Sequence, residues 1–210
     1  MIRILIVDDH AIVRQGLRRI VEDEKQMHVG GEAANGDEAL KMLRTGKWDV
    51  ILLDISMPGK NGIDTMKRIL ERHADAKVLI LSMYPEDQYA VRLMKAGASG
   101  YLTKESAPEM LIQAIRSVVA GKKHISPNLA ELLLAECGIE SGKSPHELLS
   151  DREYQVLRLI GSGKKVSEIA EMLSLSVKTV STYRSHILDK MKLKNSAELT
   201  YYVIQNGLSD

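Results

Sequence analysis

At 210 residues the chain has room for two domains of ordinary size or one large one. A formal charge of +1 excludes a wholly polybasic or polyacidic protein, so any nucleic-acid surface must be local, while 44% apolar and 27% charged residues describe an ordinary globular protein. The single cysteine, Cys137, excludes an internal disulfide framework and a cysteine-built zinc site, and no apolar run approaches the roughly 18 residues of a membrane span. Asp8 and Asp9 come too early for a signal peptide, so a cytoplasmic protein with no membrane partner is expected.

In chain order, Ile2 to Val7 predicts a buried strand that ends at Asp8-Asp9-His10. Ile12, Val13, Leu17, Ile20 and Val21 are spaced to bury one face of a helix. Val29 to Ala34 is a weaker strand, Asn35-Gly36 a turn, and Asp37 to Leu43 a helix with acids in its first turn. Val50 to Leu53 is an unbroken apolar run, too short for a helix, that ends at Asp54 before Pro58-Gly59 breaks the backbone. Gly62 to Arg72 is helical, Lys77 to Leu81 a strand ending at Ser82, and Pro85 to Ala96 a helix. Tyr101-Leu102 is a short strand ending at Thr103-Lys104, and Pro108 to Val119 is a last amphipathic helix.

Five strands alternating with five helices predict a doubly wound α/β domain with a five-stranded parallel sheet over residues 1–121. All five strand ends then share one edge, where ligands bind in open sheets of this kind. Asp8, Asp9, Asp54, Ser82 and Lys104 would converge there. Three adjacent carboxylates call for a cation, and oxygen ligands suit Mg²⁺. With Lys104 as counter-charge and Ser82 as hydroxyl donor, the set fits a carboxylate that accepts a phosphoryl group.

Residues 122–146 read as a linker with a short helix over Asn128 to Glu136, Ser126 capping it and Pro127 at its first position. Cys137 reads as a small apolar side chain rather than a redox sensor. Over 147–210 a small all-α domain is predicted. Ser150 and Glu153 make a capping box, and helices follow through Ile160, over Val166 to Leu173, over Val177 to Met191, and from Ser196 to Asn206. Ile169, Ala170, Met172 and Leu173 are expected inward on the second of these. The tight turn Ser174-Leu175-Ser176 makes the middle pair a helix-turn-helix. Val180, Ile187 and Met191 would face the core, leaving Lys178, Ser181, Thr182 and Ser185 outward. Between Arg158 and Lys194 eight bases stand against three acids, a local footprint suited to phosphate contacts.

The first half resembles the receiver domain of two-component response regulators. The likeness is carried by Asp8-Asp9, by Leu52-Leu53-Asp54-Ile55-Ser56-Met57-Pro58-Gly59-Lys60-Asn61-Gly62, by Ser82, and by Lys104 after Tyr101-Leu102-Thr103. The resemblance implies that a sensor histidine kinase phosphorylates Asp54. It implies that Asp8, Asp9, Asp54 and the Ser56 backbone carbonyl hold Mg²⁺, that Lys104 and Ser82 contact the phosphoryl group, and that Tyr101 moves inward as a switch. Ser56 and Tyr84, flanking the site, would tune the phosphate's lifetime. Many receivers carry proline after the lysine; here Glu105 follows, and a cis Lys104–Glu105 bond is expected despite a cost of about 2.5–4 kcal/mol.

The second half resembles the LuxR-type DNA-binding domain of the NarL/FixJ class. Leu149-Ser150-Asp151-Arg152-Glu153, Lys165 to Ala170, Leu175 to Val180 and His186 to Met191 carry that likeness. It places base reading on Ser181, Thr182 and Ser185, with Lys178 and Arg184 adding specificity. Tyr183, Thr179, His186, Lys192 and Lys194 are candidates for phosphate contact, with packing the alternative role for Tyr183 and His186. The implied protein is a transcription factor that dimerises on phosphorylation, through α-helices Ala11–Val21 and Pro108–Val119, and meets RNA polymerase at double-stranded DNA. It would assist its own phosphotransfer and dephosphorylation without being a turnover enzyme. A magnesium phosphohydrolase and a protein-binding adaptor are the alternatives. The lack of a second acid two residues beyond Asp54, where Ser56 stands, counts against the first.

Overall fold

The computed structural model describes residues 1–57, 62–137 and 144–208. The Pro58-Gly59 break, the polar stretch 138–143 and the Cys137 side chain lie outside the described residues. The chain divides into two units, Met1–Gly138 and Ile139–Asp210.

In the first unit β1 (Ile2–Val7), β2 (Met27–Ala33), β3 (Val50–Asp54), β4 (Val78–Ser82) and β5 (Gly100–Thr103) form one sheet in the order β2-β1-β3-β4-β5. Every pairing is parallel, as expected. Helices α1 (Ala11–Glu22), α2 (Gly36–Thr45), α3 (Gly62–Arg72), α4 (Glu86–Lys95) and α5 (Ala107–Val119) make the crossovers. Because strand side chains alternate, β1 sends Ile4 and Ile6 to the face that packs on Leu17 and Val21 of α1 and on Leu111, Ala114 and Ile115 of α5. β3 is buried throughout and β4 likewise, which is why both read as unbroken apolar runs rather than alternating ones. Each fully buried branched side chain contributes about 1.5–3 kcal/mol.

In the first unit one apolar residue expected inward is not. Ile12 is 84% exposed at the start of α1, because α1 turns only its Leu17 and Val21 face fully onto the sheet. The Asn35-Gly36 turn is the start of α2, where the Asn35 side chain accepts from the Glu38 amide at 2.9 Å.

The linker assignment needs revising at its first half. Residues 122–137 are built into the first unit. His124 adds a parallel bridge beside Gly100, its amide donating to the Ser99 carbonyl (2.9 Å) and its carbonyl accepting from the Tyr101 amide (3.3 Å). Helix α6 (Pro127–Cys137) follows, capped by the Ser126 hydroxyl, which accepts from the Leu129 amide at 3.0 Å. It packs on α4, burying Leu129 completely. Glu86 of α4 accepts hydrogen bonds from Ser126 (2.5 Å) and Asn128 (3.3 Å). A Cβ on Gly100 would run into the His124 backbone and side chain, so glycine at that position makes room for the strap.

The second unit holds α7 (Asp151–Gly161), α8 (Val166–Met172), α9 (Val177–Met191) and α10 (Ser196–Gln205), preceded by a single 3-10 turn, Pro145–Leu148. Val156, Leu157, Ile169, Val180, Ile187, Leu199 and Val203 form its core. Met172, expected inward, is 57% exposed; α8 ends there and only Ile169, Ala170 and Leu173 reach the interior.

Candidate functional site

Strand register assembles the first site. Val7 lies opposite Leu53, Asp54 opposite Leu81, and Ser82 opposite Thr103, so Asp8, Asp54, Ser82 and Lys104 leave the sheet at one edge within a residue of one another. Gly62 opens α3 against the back of this turn; its amide donates to the Ile55 carbonyl, and a Cβ there would strike the Asp54 carbonyl oxygen.

The Lys104 ammonium donates to Asp8 Oδ2 at 2.7 Å and to Asp54 Oδ2 at 2.8 Å. The remaining oxygens are held from the other side: the Ser56 amide donates to Asp54 Oδ1 (2.9 Å) and the His10 amide to Asp8 Oδ1 (2.8 Å). Burial pushes the Asp54 carboxyl above the usual carboxylate range, and Lys104 offsets that only in part. Burial likewise opposes the charge on Lys104, but its hydrogen bonds to Asp54 and Asp8 outweigh burial and hold the ammonium above its ordinary value. Asp54 is thus a carboxylate kept in a tight pocket by a cation on a long side chain.

The pocket fits a divalent ion. Asp8, Asp9, His10 and Asp54 each present a ligand atom, all within 4.8 Å of one another. Opposite ligands at 2.1 Å from a common ion stand about 4.2 Å apart, so little closure is needed. Asp9 Oδ1 is buried and, among the described residues, accepts no hydrogen bond. The donor set differs from the expected one in containing His10, whose Nδ1 lies 3.0 Å from Asp9 Oδ1 and 3.4 Å from Asp8 Oδ1. Its place directly after the two acids was the visible signal.

Ser82 is fully buried and its hydroxyl accepts from the Tyr84 amide at 3.0 Å. Tyr101 already points inward, 1% exposed, its phenol donating to the Tyr84 carbonyl at 2.7 Å. The expected cis bond is absent: Lys104–Glu105 is trans. The register explains why none is needed. Lys104 N–H donates to the Ser82 carbonyl at 2.7 Å, which carries β5 pairing one residue further and aims the side chain at both acids.

On the second unit, Lys178, Ser181, Thr182, Ser185 and His186 are exposed along α9, and Lys192 and Lys194 beyond it. Several of these polar groups are already engaged within the helix. Ser176 caps α9 by accepting from the Thr179 amide, and the two hydroxyls lie 2.8 Å apart. Thr182 Oγ1 donates to the Lys178 carbonyl and Ser185 Oγ to the Ser181 carbonyl. Arg184 is half-buried, its Nε donating to Ser196 Oγ at 2.6 Å, so it pins α9 to the start of α10. The orientation of α9 also depends on Glu153, a residue the sequence marked only as a cap. Glu153 is 3% exposed and accepts from Lys190 Nζ (2.6 Å) and from the Ser150 amide (2.7 Å) and hydroxyl (2.8 Å).

A parallel α/β sheet with a lysine-bridged acidic edge, joined in one chain to a helix-turn-helix, defines a class, and the comparisons agree with it. The response regulator receiver domain family matches residues 4–116, and the family of bacterial regulatory proteins of the luxR type matches 147–203. The chain belongs to the response regulators of the NarL/FixJ family, transcription factors with a receiver and a LuxR-type DNA-binding domain. Response regulator UvrY of Escherichia coli (strain K12) is 43% identical over 209 residues, 99% of this chain and 96% of that protein. Response regulator GacA of Pseudomonas aeruginosa is 40% identical over 211 residues, 100% and 99% of the two chains. Among solved structures, RcsB of Salmonella enterica serovar Typhimurium bound to promoter rprA with phosphomimetic BeF3- superposes at a TM-score of 0.63. That pair is 28% identical and covers 97% of this chain and 98% of the other.

No helix among the described residues is long and apolar enough to cross a membrane.

Proposed function

We propose that the chain is a cytoplasmic transcription factor switched by phosphorylation of Asp54 from a sensor histidine kinase, with Mg²⁺ in the pocket of Asp8, Asp9, Asp54 and the Ser56 carbonyl. Phosphorylation drives homodimerisation, and the dimer binds a two-part DNA site and acts there on RNA polymerase. The observation that carries this reading is Lys104 bridging Asp8 and Asp54 at the strand edge of a chain that also carries a helix-turn-helix.

Asp54 attacks the phosphorus of the phosphohistidine, a P–O bond forms as the P–N bond breaks, and the departing imidazole takes up a proton. When bound, Mg²⁺ neutralises the carboxylates and the phosphoryl oxygens. Lys104 exchanges its carboxylate partner for a phosphoryl oxygen, which is why it must be a long, flexible cation rather than a fixed one. Ser82 donates a hydrogen bond from its hydroxyl to a second oxygen. Drawing Ser82 towards the phosphate disturbs its bond from the Tyr84 amide, and Tyr84 in turn holds the Tyr101 phenol. With these groups serving one resident carboxylate, the chain accepts and loses a phosphate rather than turning over an external ester. DNA-bound dimers and binding in the presence of the phosphomimetic are known for RcsB, which supports the same use here.

The reading is tested by footprinting genomic fragments with acetyl-phosphate-treated wild type and Asp54→Ala. Treated wild type is expected to bind more tightly than its untreated form and the variant not to respond. Equal response in both would exclude control through Asp54. On the DNA face, Lys178→Ala is expected to weaken binding about equally across sequences and to lower the slope of log affinity against log salt by about one. A change confined to one base position would instead make Lys178 a base reader.

A further inference from the structure

We infer that Arg14 is the positioning residue of the acid pair: by holding the Asp8 carbonyl it fixes the peptide between Asp8 and Asp9, and so sets the affinity of the pocket for Mg²⁺. The inference rests on the pocket being a Mg²⁺ site, as proposed above, and names a residue outside the ligand set on which that site depends.

Two of the pocket's acids are carried by a turn rather than by the sheet. β1 ends at Val7, the last residue of that strand in register with both β2 and β3. The Asp8 amide still donates to the Ala33 carbonyl at 3.1 Å, after which the chain leaves for α1. The Asp8 carbonyl accepts from Arg14 Nη1 at 2.7 Å. A peptide group is planar, so an anchored carbonyl oxygen also fixes the direction in which the chain enters Asp9. Arg14 is the fourth residue of α1, and long helical side chains lean back towards the N-terminus, which brings the guanidinium over this turn.

The guanidinium is itself locked in place. Its Nε donates to Glu32 Oε2 on β2 at 3.1 Å, and Arg18 Nε donates to Glu32 Oε1 at 2.6 Å, so one carboxylate on the neighbouring strand holds both arginines. Arg14 is only 17% exposed and Glu32 25%. Burial opposes the charge on Glu32, but Arg18 and Arg14 outweigh burial and hold its carboxyl below the usual range. A planar fork serves the Glu32 carboxylate and the Asp8 carbonyl at once, which a single ammonium on a flexible stem does not.

Charge alone would give Arg14 the opposite effect. A cation beside a cation site repels the ion, so removing it would tighten Mg²⁺ binding if charge were all that mattered. If the guanidinium places the acids, removing it loosens Mg²⁺ binding. The sign separates the two.

The test uses the full chain after chelator treatment. Mg²⁺ is titrated by calorimetry into wild type, Arg14→Met, Arg14→Lys and Asp54→Asn, each first shown by circular dichroism to be folded. Arg14→Met keeps the apolar stem without a donor and is expected to bind Mg²⁺ on the order of tenfold more weakly, the scale of losing a group that orients a metal ligand. Arg14→Lys keeps the charge and one donor arm and should fall between Arg14→Met and wild type. The Mg²⁺ concentration for half-maximal phosphorylation by acetyl phosphate should rise in Arg14→Met by the same factor, while the rate at saturating Mg²⁺ falls far less. Asp54-dependent binding that Arg14→Met leaves unchanged or tightens would overturn the inference and leave the Mg²⁺ pocket standing. Should Arg14→Met not fold, binding by Arg14→Lys as tight as that of wild type would overturn it in the same way. Wild-type binding that Asp54→Asn does not weaken would overturn the Mg²⁺ reading and the inference together.

Discussion

Lys104→Ala is expected to lower the stability of the first unit by about 3–5 kcal/mol in chelator-treated buffer, the cost of stranding a buried charge when its partner is removed. Asp8 and Asp54 are each 1% exposed, and both rely on the Lys104 ammonium. The deficit should depend on pH with a definite sign. Burial already raises the Asp54 carboxyl, and losing Lys104 removes its largest opposing cause. A carboxyl whose folded value lies above its unfolded one destabilises the fold increasingly as pH rises through that interval. The variant should therefore come closest to wild type near pH 4 and fall furthest behind above neutrality. Divalent ions should restore part of the loss by taking over the ammonium's task. Denaturation by urea followed at Trp48 measures this, because Trp48 is the chain's one tryptophan and belongs to the first unit, its ring packed against the Arg3 guanidinium at 4.7 Å. A loss below about 1 kcal/mol would mean that the acids are relieved in some other way.

Glu153→Ala should be the most damaging single polar truncation in the second unit, at about 2–3 kcal/mol. One carboxylate there closes the α7 capping box and anchors Lys190 near the end of α9, so its loss removes a cap and a charged hydrogen bond together. Lys190 is 43% exposed and can rehydrate, which keeps the cost below that of a fully buried pair. DNA affinity should fall as well, although Glu153 touches no DNA-facing residue position named above except His186, at 3.8 Å. Burial opposes the charge on Glu153, but Lys190 and Ser150 outweigh burial and hold its carboxyl below the usual range. That stabilisation is complete above the unfolded value of about 4.3 and disappears as pH falls through the lower folded value. Glu153→Gln should accordingly blunt the acid limb of unfolding monitored by circular dichroism. Undiminished DNA binding by a stably folded Glu153→Ala would show that α9 holds its angle without this pair.

The sequence carried the sheet because β3 and β4 are buried on both faces, and such strands cannot be mistaken once turn residues bound them. It carried Asp8, Asp54, Ser82 and Lys104 because each closes a strand, and parallel topology brings strand ends together. Single helical residues were less legible. Ile12 and Met172 fit an apolar period but sit at helix ends, where tertiary packing decides what is covered. Arg184 read as a DNA contact by its charge; its Nε also bonds Ser196, twelve residues on, and no spacing rule announces such a bond. His10 stood in view directly after the two acids, but those acids already satisfied a search for oxygen ligands. The strap at 122–137 was hidden for a different reason: its hold on β5 is through backbone, which no side chain advertises.

That strap bears on how the protein can be cut. β5 is the last strand of the sheet, and an uncovered last strand invites pairing with other chains. Residues 123–125 shield it while α6 packs on α4, so a fragment ending at 121 would be left with an adhesive border and an empty seat where Leu129 belongs. The first unit is whole only when severed beyond Cys137, sixteen residues later than the boundary at 121 that the sequence suggests.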